Sequence, residues 1–381
     1  LLEKAGTSVL TTGTKMAELL KRTELNYEML KEIETYSDLS LIKRYAKNVV
    51  LYEDNGKFVL QNKKGFRRIV KEIDMVFPIV HGTNVEDGVL QGYLESIGIP
   101  FVGGDVYASA VGQDKIFMKE IFRENDLPVC DYAWFYDTEY EDDNEKVLAR
   151  VEKLTYPVII KPATLGSSVG IKTAHNKEEL KVAIDEAIKY DHKIVVEKLV
   201  ENLMEVNISV LGNYSNQQVS AIEQVIPTKD FLTYEDKYLG SSKTKGKIGG
   251  KFKTSKGMVS TSRVIPAPLP KKMKEEVEKV AVGAFKALGS SGVVRIDFLV
   301  DEKEKKIYIN EVNNIPGSLS FYLWEPIGKE YTELLDDMIN IGIRDYKMRI
   351  AKTHSFDTNI LKGFAEHGGL KGMKGSKGKL R

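Results

Sequence analysis

Three stretches of this chain carry side chains whose types and spacing could handle a phosphorylated ligand. In the first, Lys161 ends the apolar run PVIIK and leads into PATLGSSVGI. Gly166-Ser167-Ser168-Val169-Gly170 is therefore a Gly/Ser turn directly after a strand that delivers a lysine. Backbone N–H groups and hydroxyls of such a turn can close over phosphate oxygens while the lysine adds a point charge. The stretch lacks the GxxxxGK[ST] spacing of a loop that opens a helix, and GIKTA after it returns to strand. The spacing predicts a flap between two antiparallel strands, either a phosphate cover or an ordinary hairpin turn.

The second stretch is RIDF, in which Arg295 and Asp297 share one face of a strand, followed by NEVN, in which Glu311 and Asn313 do the same. Two adjacent strands would present Asp297, Glu311 and Asn313 together. That oxygen-only set suits Mg²⁺ bridging nucleotide phosphates, and Arg295 beside it suits charge on a transferring phosphoryl group. A salt-bridged solvated face is the competing reading. Apolar runs flank both sets, and an unpaired buried carboxylate cluster would be costly without a cation. In the third stretch Glu197 closes KIVVE and Glu205 opens VNISV. Either glutamate suits a ribose hydroxyl or an adenine amino group, or is a plain surface charge. His81-Gly82 and Glu86-Asp87-Gly88 surround a tight loop after VFPIV, where open α/β sheets bind ligands or where a turn is merely structural.

The elements that must hold these groups alternate along the chain. Val76–Val80 reads as a short buried strand, 88–96 as a helix ending at Gly98, and Pro100-Phe101-Val102 as another strand, a rhythm that implies parallel pairing. Residues 109–124, with Lys115 and Lys119, have helical periodicity, as do 178–190 and 270–288. Residues 157–161, 193–197, 206–211, 292–300 and 306–312 are β-rich. Residues 240–257 hold six Lys, five Gly and five Ser/Thr with no acid, which predicts a mobile surface loop. Residues 368–381 hold five Gly and five basic residues and read as a disordered tail.

With 381 residues and roughly 150 residues per domain, two to three domains are expected. Lys plus Arg is 56 and Asp plus Glu is 55, a net charge of +1, without the basic excess of a nucleic-acid or membrane-surface binder. Hydrophobic residues make up 42% and charged residues 29%, a globular composition. Cys130 is the one cysteine, so no internal disulfide forms and a reducing compartment fits. No run approaches the roughly 18 apolar residues of a membrane span, and the first residues lack the apolar core of a signal peptide. The expectation is a cytoplasmic protein.

In chain order these stretches resemble the D-alanine–D-alanine ligase family of the ATP-grasp superfamily. The resemblance runs from about Phe77 to Arg344 on six landmarks: VFPIVHGTNVEDGVLQGYLESIGIPFVGGDVYASAVGQDK, KPATLGSSVGI, FLTYEDKY, IPAPLP, GVVRIDF and NEVNNIPGS. The implied fold is α/β (α+β), an ATP-grasp fold with an N-terminal α/β domain. The resemblance implies that ATP lies between two sheets, gripped by Lys115 and Lys161. Glu197 and Glu205 would be its adenine and ribose contacts, Ser167 and Ser168 its flap contacts, and Asp297, Glu311 and Asn313 the ligands of Mg²⁺ (or Mn²⁺). The implied reaction joins two D-alanines through an acyl phosphate, for peptidoglycan precursor synthesis. Arg295 and the Gly317 N–H would stabilise the tetrahedral intermediate. Lys237 and Tyr238 match the loop pair of ligases that use an amine nucleophile, and Lys237 also reaches ATP. His81 falls at the substrate end.

This sequence departs from the family in three places. Its first Gly-rich strand-loop, with a His-Glu pair, is not recognisable before Leu25. Tyr322 stands where a serine reads the second substrate's carboxylate, so Ser318 and Ser320 become alternative donors. The Lys-rich loop and basic tail are additions. An ATP-grasp ligase for another amino-acid pair and a silent nucleotide-binding paralogue are the alternative readings. The expected domains are 1–105 (N-terminal, incomplete), 106–205 (central), 206–350 (C-terminal, with a lid loop at 230–262) and the tail 351–381. Expected partners are D-alanine and ATP, with no nucleic acid or membrane and a homodimer as the candidate assembly.

Overall fold

A computed structural model describes residues 49–62, 69–166, 169–226 and 262–352. Strands β1 (Val49–Asp54), β2 (Lys57–Asn62) and β3 (Ile69–Ile73) form an antiparallel meander. Helices α1 (Val89–Ile97), α2 (Val106–Gln113) and α3 (Lys115–Glu124) follow. A second sheet, order β4-β7-β5-β6, is built from β4 (Tyr132–Tyr136), β5 (Val158–Pro162), β6 (Lys172–Ala174) and β7 (Lys193–Lys198). Helices α4 (Asp137–Asp142), α5 (Asn144–Val151) and α6 (Lys177–Ala187) lie between its strands in sequence. The third sheet runs β11-β10-β8-β12-β13, with β9 paired to β8. Its members are β8 (Leu203–Gly212), β9 (Gln217–Val219), β10 (Glu223–Ile226), β11 (Ser262–Val264), β12 (Gly292–Asp301) and β13 (Lys306–Asn313). Helix α7 (Lys271–Ala287) precedes β12, and α8 (Tyr331–Ile350) ends the described chain.

Strand alternation sets which face is dry. Val158 and Ile160 of β5 and Ile194 and Val196 of β7 pack with Leu148 of α5 and Leu180 and Ile184 of α6. The intervening Lys161, Val195 and Glu197 therefore face the other way. In the third sheet Val294, Ile296, Phe298 and Val300 of β12 pack against Val277, Ala281 and Phe285 of α7. That leaves Arg295 and Asp297 on the opposite face. The antiparallel strands expected on either side of the Gly/Ser stretch are there: β5 and β6 pair antiparallel, Val158 opposite Ala174.

Two expectations need correction. Residues 109–124 are not one helix, because Asp114 is extended (φ −86°, ψ 107°) and its carboxylate caps the next helix by accepting from the Ile116 and Phe117 N–H groups. The run Val76–Val80 is no buried strand: Val76 makes a single parallel bridge to Phe101. Pro78 and Pro100 supply no N–H to extend that ladder, and every other described pairing is antiparallel. Among the described residues no helix is long and apolar enough to cross a membrane.

Candidate active site

The cleft face of the second sheet gathers charge in a dry place. Lys161 of β5 and Glu197 of β7 are buried, and α3 lays Lys115 and Lys119, one helical turn apart, over the same face. Lys119 Nζ lies 3.3 Å from Glu197 Oε1 and Lys161 Nζ 3.2 Å from Oε2. Lys115 Nζ donates to the Leu165 carbonyl at 2.5 Å, and Gln113 Nε2 to the Thr164 carbonyl at 2.9 Å. The Thr164 N–H and hydroxyl both donate to Asp191, so the flap's entrance is pinned.

Burial and charge pull these groups in opposite directions. Burial drives the Lys115 pKa down, and Glu311 only partly opposes it. Burial also works against the Lys161 ammonium, yet Glu197 beside it keeps its pKa above the ordinary lysine value. Burial disfavours the Glu197 carboxylate too, but Lys119 and Lys161 hold its pKa below the usual range. Burial pushes the nearby Cys130 thiol up to about 11. Glu197 is thus no surface charge.

The third sheet answers with an acidic row. Register puts Glu223 of β10 opposite Asn207 of β8, Asn207 opposite Asp297 of β12, and Asp297 opposite Glu311 of β13. Arg295 lies opposite Asn313. The register slips after Asp297: Phe298 pairs with Ile309, which leaves Asn310 as the extra residue of a bulge. Asn310 accepts from Lys161 Nζ at 3.0 Å, tying the two sheets together.

Arg295 holds Asp297 through two hydrogen bonds of 2.7 and 2.8 Å, and Asn313 Nδ2 adds a third at 3.1 Å. Burial opposes the Arg295 charge, but Asp297 raises its pKa above the ordinary guanidinium value. Among the described residues no three His, Cys, Asp or Glu side chains converge on one point. A hard cation here would rest on Asp297, Glu311, the Asn313 amide oxygen and phosphate oxygens of a ligand. That donor chemistry fits Mg²⁺. Glu205 sits on β8 opposite Leu299 and Val225, two residues before Asn207, and is half-buried.

The Gly317–Leu323 turn closes this end. Ser318, Leu319 and Ser320 take φ values of 51°, 55° and 50° in succession, a left-handed run that side chains disfavour. It leaves the Ser320 hydroxyl fully buried with no hydrogen-bond partner among the described residues. Tyr322 is neither plain packing nor an idle donor. Its hydroxyl donates to Glu223 Oε1 at 2.9 Å, and burial raises its pKa. Asn207 Nδ2 donates to the same oxygen at 3.0 Å. Arg263 donates to Glu223 Oε2 at 3.4 Å, with its guanidinium 4.6 Å from the centre of the Tyr322 ring.

Of the residues singled out by sequence, Lys115, Lys161 and Glu197 gather on one sheet and Arg295, Asp297, Glu311 and Asn313 on the other. His81 stays within its own loop, half-exposed, 3.2 Å from Glu86 Oε1. Ser167, Ser168, Lys237 and Tyr238 lie outside the described residues, as do the Lys-rich loop and the tail. Sequence reading missed Lys119, Asn207, Glu223, Arg263 and Asn310. Lys119 had one available signal, its place four residues after Lys115 on an otherwise apolar helix face.

Known proteins share this arrangement of sequence and fold. The family model described as D-ala D-ala ligase C-terminus matches residues 121–340, and D-ala D-ala ligase N-terminus matches residues 10–104. The second match opens well ahead of Phe77, where the motif landmarks begin. The D-alanine--D-alanine ligase of Thermoanaerobacter sp. (strain X514) is 43% identical over 278 residues, 72% of each chain. That of Thermosipho melanesiensis is 37% identical over 337 residues, 88% of this chain and 85% of the relative. Among solved structures, VanG D-Ala:D-Ser ligase from Enterococcus faecalis superposes with a TM-score of 0.63 at 30% identity, covering 78% of this chain and 79% of that one. The Bacillus anthracis D-alanine--D-alanine ligase complexed with ATP gives a TM-score of 0.57 at 26% identity, covering 73% and 81%.

Proposed function

The chain belongs to the D-alanine–D-alanine ligase family, and from that premise we propose how its own residues run the reaction. It is an ATP-dependent ligase that joins two D-alanines, the dipeptide of peptidoglycan precursors. ATP occupies the cleft between the second and third sheets. Lys115 and Lys161 hold its phosphates, Glu197 its adenine and Glu205 its ribose, with Ser167 and Ser168 of the flap and Lys237 of the loop covering it. The observation that carries this placement is the pair of buried, hydrogen-bond-poor ions, Lys119 and Glu197, facing an acidic row across the cleft. Buried polar groups left without a hydrogen bond call for a partner, and for the Glu197 carboxylate the adenine amino group would supply it.

Asp297, Glu311 and Asn313 would hold Mg²⁺, or Mn²⁺ in its place, which would neutralise phosphate oxygens of the transferring group. The γ-phosphoryl group passes from ATP to the carboxylate of the first D-alanine, releasing ADP. The amine of the second then attacks the acyl phosphate, loses a proton, and expels phosphate. Arg295 and the Gly317 N–H stabilise the charge on the tetrahedral oxygen. Lys237 and Tyr238 act at this step, where an acyl phosphate must be kept from water. His81 orients the first D-alanine, and Ser318, Ser320 and Tyr322 frame the second. The domain plan is 1–105 for substrate, 106–205 and 206–350 for the two jaws of the nucleotide cleft, and 351–381 as a tail, in a cytoplasmic homodimer.

Incubation with ATP, Mg²⁺ and D-alanine should release phosphate in equal amount to D-alanyl-D-alanine, with D-serine and D-lactate run as second substrates. Phosphate release without dipeptide would overturn the assignment.

A further inference from the structure

The cluster on the second sheet holds one more cation than the reading above uses. Lys119 is wholly buried and lies 3.3 Å from Glu197 Oε1, while Lys161 lies 3.2 Å from Oε2. These distances make ion pairs, but among the described residues neither Lys119 Nζ nor either Glu197 oxygen has a hydrogen bond of good geometry. Lys161 has a second hydrogen-bonding partner, Asn310 across the cleft. Lys119 is held back by its helix, with its ammonium 5.9 Å from the centre of the Tyr132 ring.

We propose that Lys119 is a positioning residue for nucleotide binding, the fixed counter-ion of Glu197 that lets Lys161 exchange its protein partners for the nucleotide. The proposal rests on the ATP placement given above. A buried carboxylate with a single cation cannot give it up, because breaking such a pair strands a charge in a dry site. Two lysines on two oxygens remove that obstacle. Lys161 moves to the ligand, Lys119 stays, and Glu197 remains ionised as an acceptor. Lys119 acts through Glu197 and touches neither substrate nor phosphate.

The test is calorimetric titration of the full chain with a non-hydrolysable ATP analogue and Mg²⁺, for the parent, Lys119→Met, Glu197→Gln and the double variant. Lys119→Met should bind the analogue about tenfold more weakly or worse, the scale of a hydrogen bond to a charged group. Its KM for D-alanine should stay within about twofold of the parent, the scatter of independent effects. In the Glu197→Gln background the same substitution should cost nothing further, since the charge it balances is gone. Parental affinity in Lys119→Met, or an equal loss in both backgrounds, overturns the role of Lys119 alone. If Lys119→Met does not fold, Lys119→Arg replaces it. The retained cation should then keep affinity within about threefold of the parent, and a loss of about tenfold overturns the proposal. A parent chain that fails to bind the analogue overturns the ATP placement itself.

Discussion

Lys161 Nζ donates to Asn310 Oδ1 at 3.0 Å across 149 positions of sequence, linking a strand of one sheet to a bulge in the other. The bulge makes the contact, because the extra residue brings Asn310 to the cleft beside Glu311. Lys161 is therefore shared between Glu197, Asn310 and any phosphate that enters. Lys161→Ala should weaken an ATP analogue by about 1.5 to 3 kcal/mol, the range for hydrogen bonds to charged groups. Lys177→Ala should leave affinity unchanged, because Lys177, at the start of α6, pairs with exposed Glu145, away from the cleft lysines. Calorimetry on both variants checks this, and equal affinities would sink the role given to Lys161.

The lysine that grips the flap should show itself in a pH series. Burial lowers the Lys115 pKa below the ordinary 10.5, so its proton leaves first as pH rises. Lys161, held above its ordinary value by Glu197 against burial, stays charged through the same window. Affinity for the ATP analogue should fall as pH climbs towards 10.5. Lys115→Arg, charged throughout, should flatten the fall. A parallel decline in both proteins would place the titration elsewhere.

Glu311 sits opposite Asp297, which Arg295 holds through two hydrogen bonds. Glu311→Gln should fold normally and lose most phosphate release, with a higher Mg²⁺ requirement for what remains. Near-parental turnover at saturating Mg²⁺ would remove Glu311 from the cation site. Circular dichroism beside the rate assay separates folding from chemistry.

Tyr322 spends its hydroxyl proton on Glu223, so the second D-alanine's carboxylate must be read by another donor. Tyr322→Phe should cost about 1 kcal/mol of stability, the net worth of one hydrogen bond, because Glu223 Oε1 keeps Asn207 Nδ2, and barely move the KM for that D-alanine. Ser320→Ala should show the reverse. Its hydroxyl has no hydrogen-bond partner among the described residues, so melting stays put while the KM rises. A raised KM in Tyr322→Phe with parental KM in Ser320→Ala would return the contact to the tyrosine.

What sequence made legible follows from short-range periodicity. The alternation of RIDF and NEVN put Arg295, Asp297, Glu311 and Asn313 on one face. The Gly/Ser stretch between PVIIK and IKTA announced the antiparallel pairing of β5 and β6. Partners far apart along the chain were hidden. Glu223 and Tyr322 meet across 99 positions, and nothing in EQV or FYLW foretells it. Lys119 was given no role, although it stands one helical turn after Lys115, and its burial beside Glu197 is set by tertiary packing. Asp114 was absorbed into a helical pattern its cap interrupts, and the apolar run around Pro78 outweighed the donor that proline lacks.

The chain's one cysteine, Cys130, is 3% exposed and its thiol is raised to about 11 by burial. Maleimides react with thiolate, so in neutral solution the native sulfur is silent towards coupling reagents. New cysteines in place of exposed Lys172 on β6 and Lys306 on β13 would then carry a donor and an acceptor fluorophore without background. The separation of the two sheets during turnover could be followed by energy transfer in single molecules, with every native residue of the cleft left in place.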